Sequence, residues 1–237
     1  MYIVYPIINT YLLSSLTILF GYVMDFTISK NTLKKYCKNE LDLYISGIQS
    51  SNINLLIISP LNYILVYNLH YIDYNNNISD IQYVTLLSLL VTHNFLYFIF
   101  HSLVHKLHFL RFIHNYHHQF RTNLPSISNS VSIMEFQSMY VLPFCVGAYL
   151  FHPNIITFNI SILIISLFNI LIHCDELTTL NWLIIFVSPR QHAEHHLTYG
   201  NTYSAPILNF DLCFSKKMKQ RKMYELFTKY NRPITVS

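Results

Sequence analysis

Four long stretches of the chain contain no Asp, Glu, Lys or Arg: residues 1–24, 43–72, 81–105 and 136–174. All are far longer than a strand, and a helix needs about 20 mainly apolar residues to cross the hydrocarbon core of a bilayer. Open sheet edges are not tolerated in lipid, so these stretches are predicted to be helical. The last is long enough for two crossings, and His152-Pro153-Asn154 near its middle supplies a breaker. The pattern therefore predicts five spanning helices. The last two form a tight hairpin with arms over roughly 131–151 and 155–173. The chain is apolar from its first residue, without a basic leader or a small-residue cleavage site, so the first span reads as retained rather than as a signal peptide.

Composition agrees. The chain is 52% hydrophobic and only 11% charged, with a mean hydropathy of +0.33. Soluble domains carry about 25% charged residues. A soluble protein with long buried helices is disfavoured by the number of uncharged stretches. The net charge is +4, but the basic residues flank apolar spans, which argues against a nucleic-acid binder. Threading five spans in strict alternation places all 15 basic residues on one side. Lys30, Lys34, Lys35 and Lys38 follow span one, Lys106, Arg111 and Arg121 follow span three, and Arg190 and the Lys216–Arg232 cluster follow span five. Residues 73–80, between spans two and three, carry Asp73 and Asp80 and no base. The positive-inside rule makes the basic side the cytosol. The cysteines Cys37, Cys145, Cys174 and Cys213 form no CxxC pair and read as reduced thiols.

Thirteen histidines punctuate this pattern, and the nine that form three boxes and one isolated site all fall on the basic side. His101 and His105 form an HxxxH box, and His114, His117 and His118 an HxxHH box. His192, His195 and His196 form a second HxxHH box, and His173 ends span five. In a helix, positions i, i+3 and i+4 share a face. Neutral imidazole is a common ligand for zinc, iron, copper and nickel. Eight or nine such ligands exceed the needs of one ion, so two ions is the natural count. At this histidine content, two HxxHH boxes arise by chance in roughly one chain in a thousand. His70, His93 and His152 have no partner box and read as structural, and His108 is a weaker ligand candidate.

The three boxes HSLVH, HNYHH and QHAEHH, in this order, resemble those of the fatty acid hydroxylase/sterol desaturase superfamily. The resemblance covers roughly residues 81–215 and extends to HNYHHQF, SPRQHAEHH, Tyr203 and the Asp211/Phe214 pair. Glu135 matches the acid of the family's HPxE segment and His173 its isolated histidine. Ser132 stands near the place of the HPxE histidine, and Ser215 stands where the family ends on glycine. The resemblance implies a four-to-six-helix membrane scaffold with a cytosolic cap, and together with the threading the expected fold is an all-α integral membrane bundle of about four to five transmembrane helices with a cytosolic histidine-rich cap. Three parts are expected: N-terminal helices and a basic loop over 1–75, the catalytic part over 76–215 and a basic tail over 216–237.

It also implies a non-haem centre of two iron ions, for which zinc can substitute in purified samples. Such a centre hydroxylates or desaturates a lipid drawn from the bilayer, using O2 and electrons from a separate donor protein. The endoplasmic reticulum membrane is the usual setting, and a bacterial inner membrane would show the same charge pattern. Glu194, Asp175, Glu176, Glu135 and Asp211 are candidates to orient the imidazoles and offset metal charge. Phe98, Phe100, Phe109, Phe112 and Tyr116 are candidates to line the lipid path. The basic run 216–222 suits an anionic leaflet. Two other readings use the same ligands: a zinc-dependent membrane hydrolase, and a metal-binding or transport protein without catalysis.

Overall fold

A computed structural model describes residues 4–69, 71–72, 81–180, 182–200 and 202–214. His70, residues 73–80 with Asp73 and Asp80, and residues 215–237 lie outside the described residues. The fold is all-helical, with one isolated bridge, Phe186–Leu208, and no strand among the described residues. The main helices are α1 (Val4–Thr27), α2 (Lys30–Asn39), α3 (41–68), α4 (Tyr83–Lys106), α5 (Ile133–Phe151), α6 (Ile155–Ile172) and α7 (Pro189–Thr198).

Four of these, α1, α4, α5 and α6, are long and apolar enough to cross a membrane. That is the mark of a multi-pass membrane protein. Their surfaces are inverted relative to a soluble bundle. On α1, Ile8, Leu12, Leu16, Leu19 and Val23 are exposed, while Thr10, Ser14 and Thr17 are buried. The 3.6-residue period thus turns the apolar face outward and the polar face inward. On α4, Tyr83, Val84, Leu87 and Val91 face out, and His93, Asn94, Tyr97 and His101 face in.

The expected second span is present as helix α3, but it falls short of the other four in apolarity. Asn52, Asn54, Ser59 and Asn62 dilute it, and its polarity is used locally. Asn54 Nδ2 donates to the carbonyls of Asn129 and Val131, and Ser50 Oγ donates to Val131 O. A helix with such partners has less need of lipid. Even so, α3 runs the full depth of the bundle. Its start lies by the histidines, where Ser46 and Tyr116 share a 2.9 Å hydrogen bond. Near its end Tyr63 donates to Asn159 Oδ1, close to the start of α6.

The α5–α6 hairpin matches its predicted arms to within two residues at each end. His152 closes α5 in the left-handed region at φ 41°, and the Asn154 side chain caps α6 by accepting the Thr157 N–H. Both α3 and α5 contain a π-helical segment, Asn54–Ile58 and Phe136–Val141. Each lies just ahead of a proline, Pro60 and Pro143. Proline cannot donate to the carbonyl four residues back and clashes with it, and a wider turn relieves that clash. Gly47 lets α3 approach the loop over 120–131: a Cβ there would lie 2.8 Å from the Phe120 ring and 3.0 Å from Ile127.

Candidate metal centre

The histidine end of the bundle gathers the C-termini of α4 and α6, the N-terminus of α5, the loop after α4, and α7. His101 and His105 project from the last turns of α4, and His173 follows α6. The second box sits on a short α-helical turn, Arg111–His114, and a 3-10 turn, His117–Gln119, rather than on the single helical face expected from its spacing. The third box rides on α7, whose start is fixed by a capping box. Ser188 Oγ accepts the Gln191 N–H, and the Gln191 side chain accepts the Ser188 N–H.

All nine predicted histidines converge, and they form two groups. His101, His105, His114, His118 and His195 make one, and His117, His173, His192 and His196 the other. Within each group the candidate donor atoms lie within 4.8 Å of one another. Eight of the nine rings are buried, and His105 is half-buried. His108 is exposed and joins neither group. His93 is buried against Phe144, with ring centroids 4.4 Å apart, and His152 serves as the α5 cap.

In four of the nine rings a hydrogen bond at Nδ1 specifies that Nε2 is the free nitrogen. His101 Nδ1 donates to the Tyr203 carbonyl at 2.8 Å, and His114 Nδ1 to Glu135 Oε1 at 2.6 Å. Both Nε2 atoms therefore keep lone pairs, yet they stand 2.9 Å apart. In the second group His173 Nδ1 donates to the Asn169 carbonyl at 2.7 Å, and His117 Nδ1 to the Ser130 carbonyl at 3.3 Å. The His173 and His192 Nε2 atoms face each other at 2.9 Å, and those of His192 and His196 at 3.1 Å.

Among the described residues His192 and His196 have no Nδ1 bond that fixes their tautomer, but the His101 and His114 lone pairs repel at 2.9 Å unless a cation lies between them. Protonation does not supply one. Burial first, and neighbouring imidazoles second, hold His114, His117, His192, His195 and His196 far below the ordinary histidine range. Burial takes His118 and His173 down to about 4. At neutral pH these rings are neutral. Buried His117 Nε2 and both His195 nitrogens have no hydrogen-bond partner among the described residues. Neutral, buried, all-nitrogen donors with open lone pairs fit metal ions, and each group could hold one.

The acidic candidates separate in the fold. Glu135 is fully buried and takes the His114 N–H directly. Ser132 positions it: the hydroxyl caps the helix by accepting the Glu135 N–H and itself donates to Ile113 O. Asp211 acts one step removed. It accepts the Tyr203 and Ser204 N–H groups, both at 2.8 Å, and so aims the Tyr203 carbonyl at His101. Asp175 accepts the Asn123 N–H, and Glu176 accepts the hydroxyls of Ser29 and Thr32, fastening α2 and the 120–131 loop beneath the centre. Glu194 pairs with Arg190 on the outside of α7. The carbonyls of Asn169 and Ser130 carried no signal in the sequence, because any residue type offers one.

A sequence model of the fatty acid hydroxylase family matches residues 86–215, more than half of the chain and all nine histidines. The chain belongs to the fatty acid hydroxylase family. This is the fatty acid hydroxylase/sterol desaturase superfamily, and it points to an oxygenase acting on lipid. No curated protein and no solved structure matches the chain.

Two cavities lie in the bundle, and one of them is lined by histidines. One, of about 250 Å³, opens onto His105, His114 and His118 and is bordered by Arg111, Asn115 and Tyr199. The other, about 80 Å³ and mainly apolar, runs among α1, α3, α5 and α6 from Tyr63 and Phe158 to Tyr140 and Asn169. Asn169, whose carbonyl orients His173, is one of its lining residues. Both π-helical segments contribute to its wall, through Leu55 and through Phe136 and Tyr140. None of the five aromatics expected to line the lipid path is in the lining of either cavity. Phe98 stacks on Phe214, Tyr116 bonds Ser46, Phe109 and Phe112 are exposed, and Phe100 packs on the core beside Val104 and Phe136.

Proposed function

We propose that the protein is a membrane-bound non-haem di-iron oxygenase that hydroxylates or desaturates a lipid, fatty acyl, sphingolipid or sterol, with O2 and electrons from a separate donor protein. The observation that carries this is the division of nine inward-facing imidazoles into two adjoining cages, five and four donors strong. When bound, the iron pair supplies the oxidising chemistry needed to break an unactivated C–H bond, which no side chain can do.

The chain's own residues do the rest. His101, His105, His114, His118 and His195 would hold one ion, and His117, His173, His192 and His196 the other. Glu135 accepts the His114 N–H and keeps that ring in the tautomer with its Nε2 free for metal, while offsetting charge in a buried site. The Tyr203, Asn169 and Ser130 carbonyls do the same for His101, His173 and His117. The apolar cavity supports entry of the lipid from within the bilayer, with its hydrocarbon shielded from water by Phe136, Tyr140 and Phe158. The histidine end faces the cytosol, consistent with the one-sided basic residues, and the endoplasmic reticulum is the favoured membrane.

The test is expression in a heterologous cell with lipid mass spectrometry. One added oxygen, or the loss of two hydrogens, is expected in a defined lipid class, dependent on O2 and a reductant. Turnover of an ester or amide without either would replace this reading with a zinc hydrolase. Zinc in a purified sample would not decide between them, because imidazole sites accept zinc readily.

A further inference from the structure

We propose that residues 182–186 form an anchor lying in the boundary between headgroups and acyl chains of a phospholipid bilayer, which holds the histidine end against the membrane. The segment reads Trp-Leu-Ile-Ile-Phe, and no charged residue occurs between Glu176 and Arg190. Leu183, Ile184 and Ile185 are 69%, 48% and 55% exposed. Three large apolar side chains in a row facing water would be a liability. The segment is also far too short to cross a membrane.

Its depth identifies what covers it. The Trp182 and Phe186 rings stand 6.5 and 6.1 Å from the ring of Phe168. Phe168 lies four residues before the end of α6, about 6 Å inside that end at 1.5 Å per residue. Helix α6 is the most apolar of the four candidate spans, and Leu167 beside Phe168 is itself exposed on its outer surface. The segment is therefore folded back alongside a membrane helix rather than standing above it. Tryptophan is enriched at that level of a bilayer.

The anchor is also tied to the scaffold of the histidines. Val187 N–H donates to Ile207 O at 2.7 Å, and Asn209 N–H to Ile185 O at 2.9 Å. These bonds join it to the segment that follows Tyr203, whose carbonyl aims His101. Ser188, directly after it, caps α7.

Trp182 is the chain's single tryptophan, which makes the test direct. The full-length protein is reconstituted in phosphatidylcholine nanodiscs as the double variant Trp182→Phe/Leu183→Trp, placing the only indole at the outward position. Lipids brominated near the carbonyl end of their chains should remove most of its emission, and aqueous iodide should leave it nearly unchanged. Quenching by iodide with indifference to brominated lipid would overturn the proposal. A second variant, Leu183→Lys with Trp182 retained, should red-shift the Trp182 emission and open it to iodide; an unchanged spectrum would also overturn it. Neither readout involves metal or turnover, so its failure would leave the oxygenase reading standing.

Discussion

In the first histidine group a side chain does the aiming: Glu135 takes the His114 N–H, and Asp211 sets the carbonyl that holds His101. In the second group the backbone does it, through the Asn169 and Ser130 carbonyls on His173 and His117. The first group also borders a cavity of about 250 Å³, whereas all four rings of the second are buried. A backbone carbonyl survives any substitution of its own residue, and a carboxylate does not. The first group is thus the one that substitutions around it can detune, and the second is protected by the fold itself.

Removing a ligand should strike either group hardest. His195→Ala and His117→Ala take one donor from the first and second groups respectively, and both should abolish lipid oxidation and lose bound metal. Product formation retained in either variant, measured by lipid mass spectrometry, would refute the ligand assignment. Glu135→Gln separates the groups. Losing a partner of a ligating histidine costs about 10–100-fold in metal affinity, and the loss should fall on the first group alone. Its counterpart is Asn169→Ala, which leaves the orienting carbonyl in place. That variant loses side-chain bonds to Ser128 and Asn129, so its thermal stability should drop by about 1–2 kcal/mol while metal content is kept. Equal metal loss in the two variants would erase the distinction between the groups.

Acid should not distinguish them. Histidine in the unfolded chain takes up protons near pH 6.5. In the folded, metal-free chain His118 of the first group and His173 of the second do so only near 4. The contribution of these two rings to folding stability is therefore fully present above about pH 6.5 and is lost as the pH drops from there through 4. Metal release should follow the same direction, since only the neutral ring binds. A pH titration of metal content should empty both groups over one window, and release of one group well before the other would contradict this. The smallest effect belongs to the outer face of α7. Arg190→Ala breaks an exposed pair with Glu194 and should change stability by no more than about 0.5 kcal/mol, with metal content unaltered in either group.

Much of this arrangement could be read along the chain. The α5–α6 hairpin, the inward histidines and the match of Glu135 to an orienting acid all followed from local pattern or resemblance. Other features could not. That the asparagines and serines of the uncharged helix α3 find partners in a loop more than 70 residues away was invisible in its local pattern. The π-helical segments left only the faint mark of Pro60 and Pro143. Glu194 is adjacent to His195 in sequence, but α7 turns its carboxylate toward Arg190.

What the sequence determined alone was the helices, their uncharged lengths and the order of the histidine boxes, because charge, period and spacing are properties of neighbouring residues. Which imidazole joins which group was decided only by the tertiary structure. The second box sends His114 and His118 to one group and His117 to the other, and the third box divides His195 from His192 and His196. Spacing places side chains around one element. The ion each can reach depends on where four separate elements meet, and that is set by their packing.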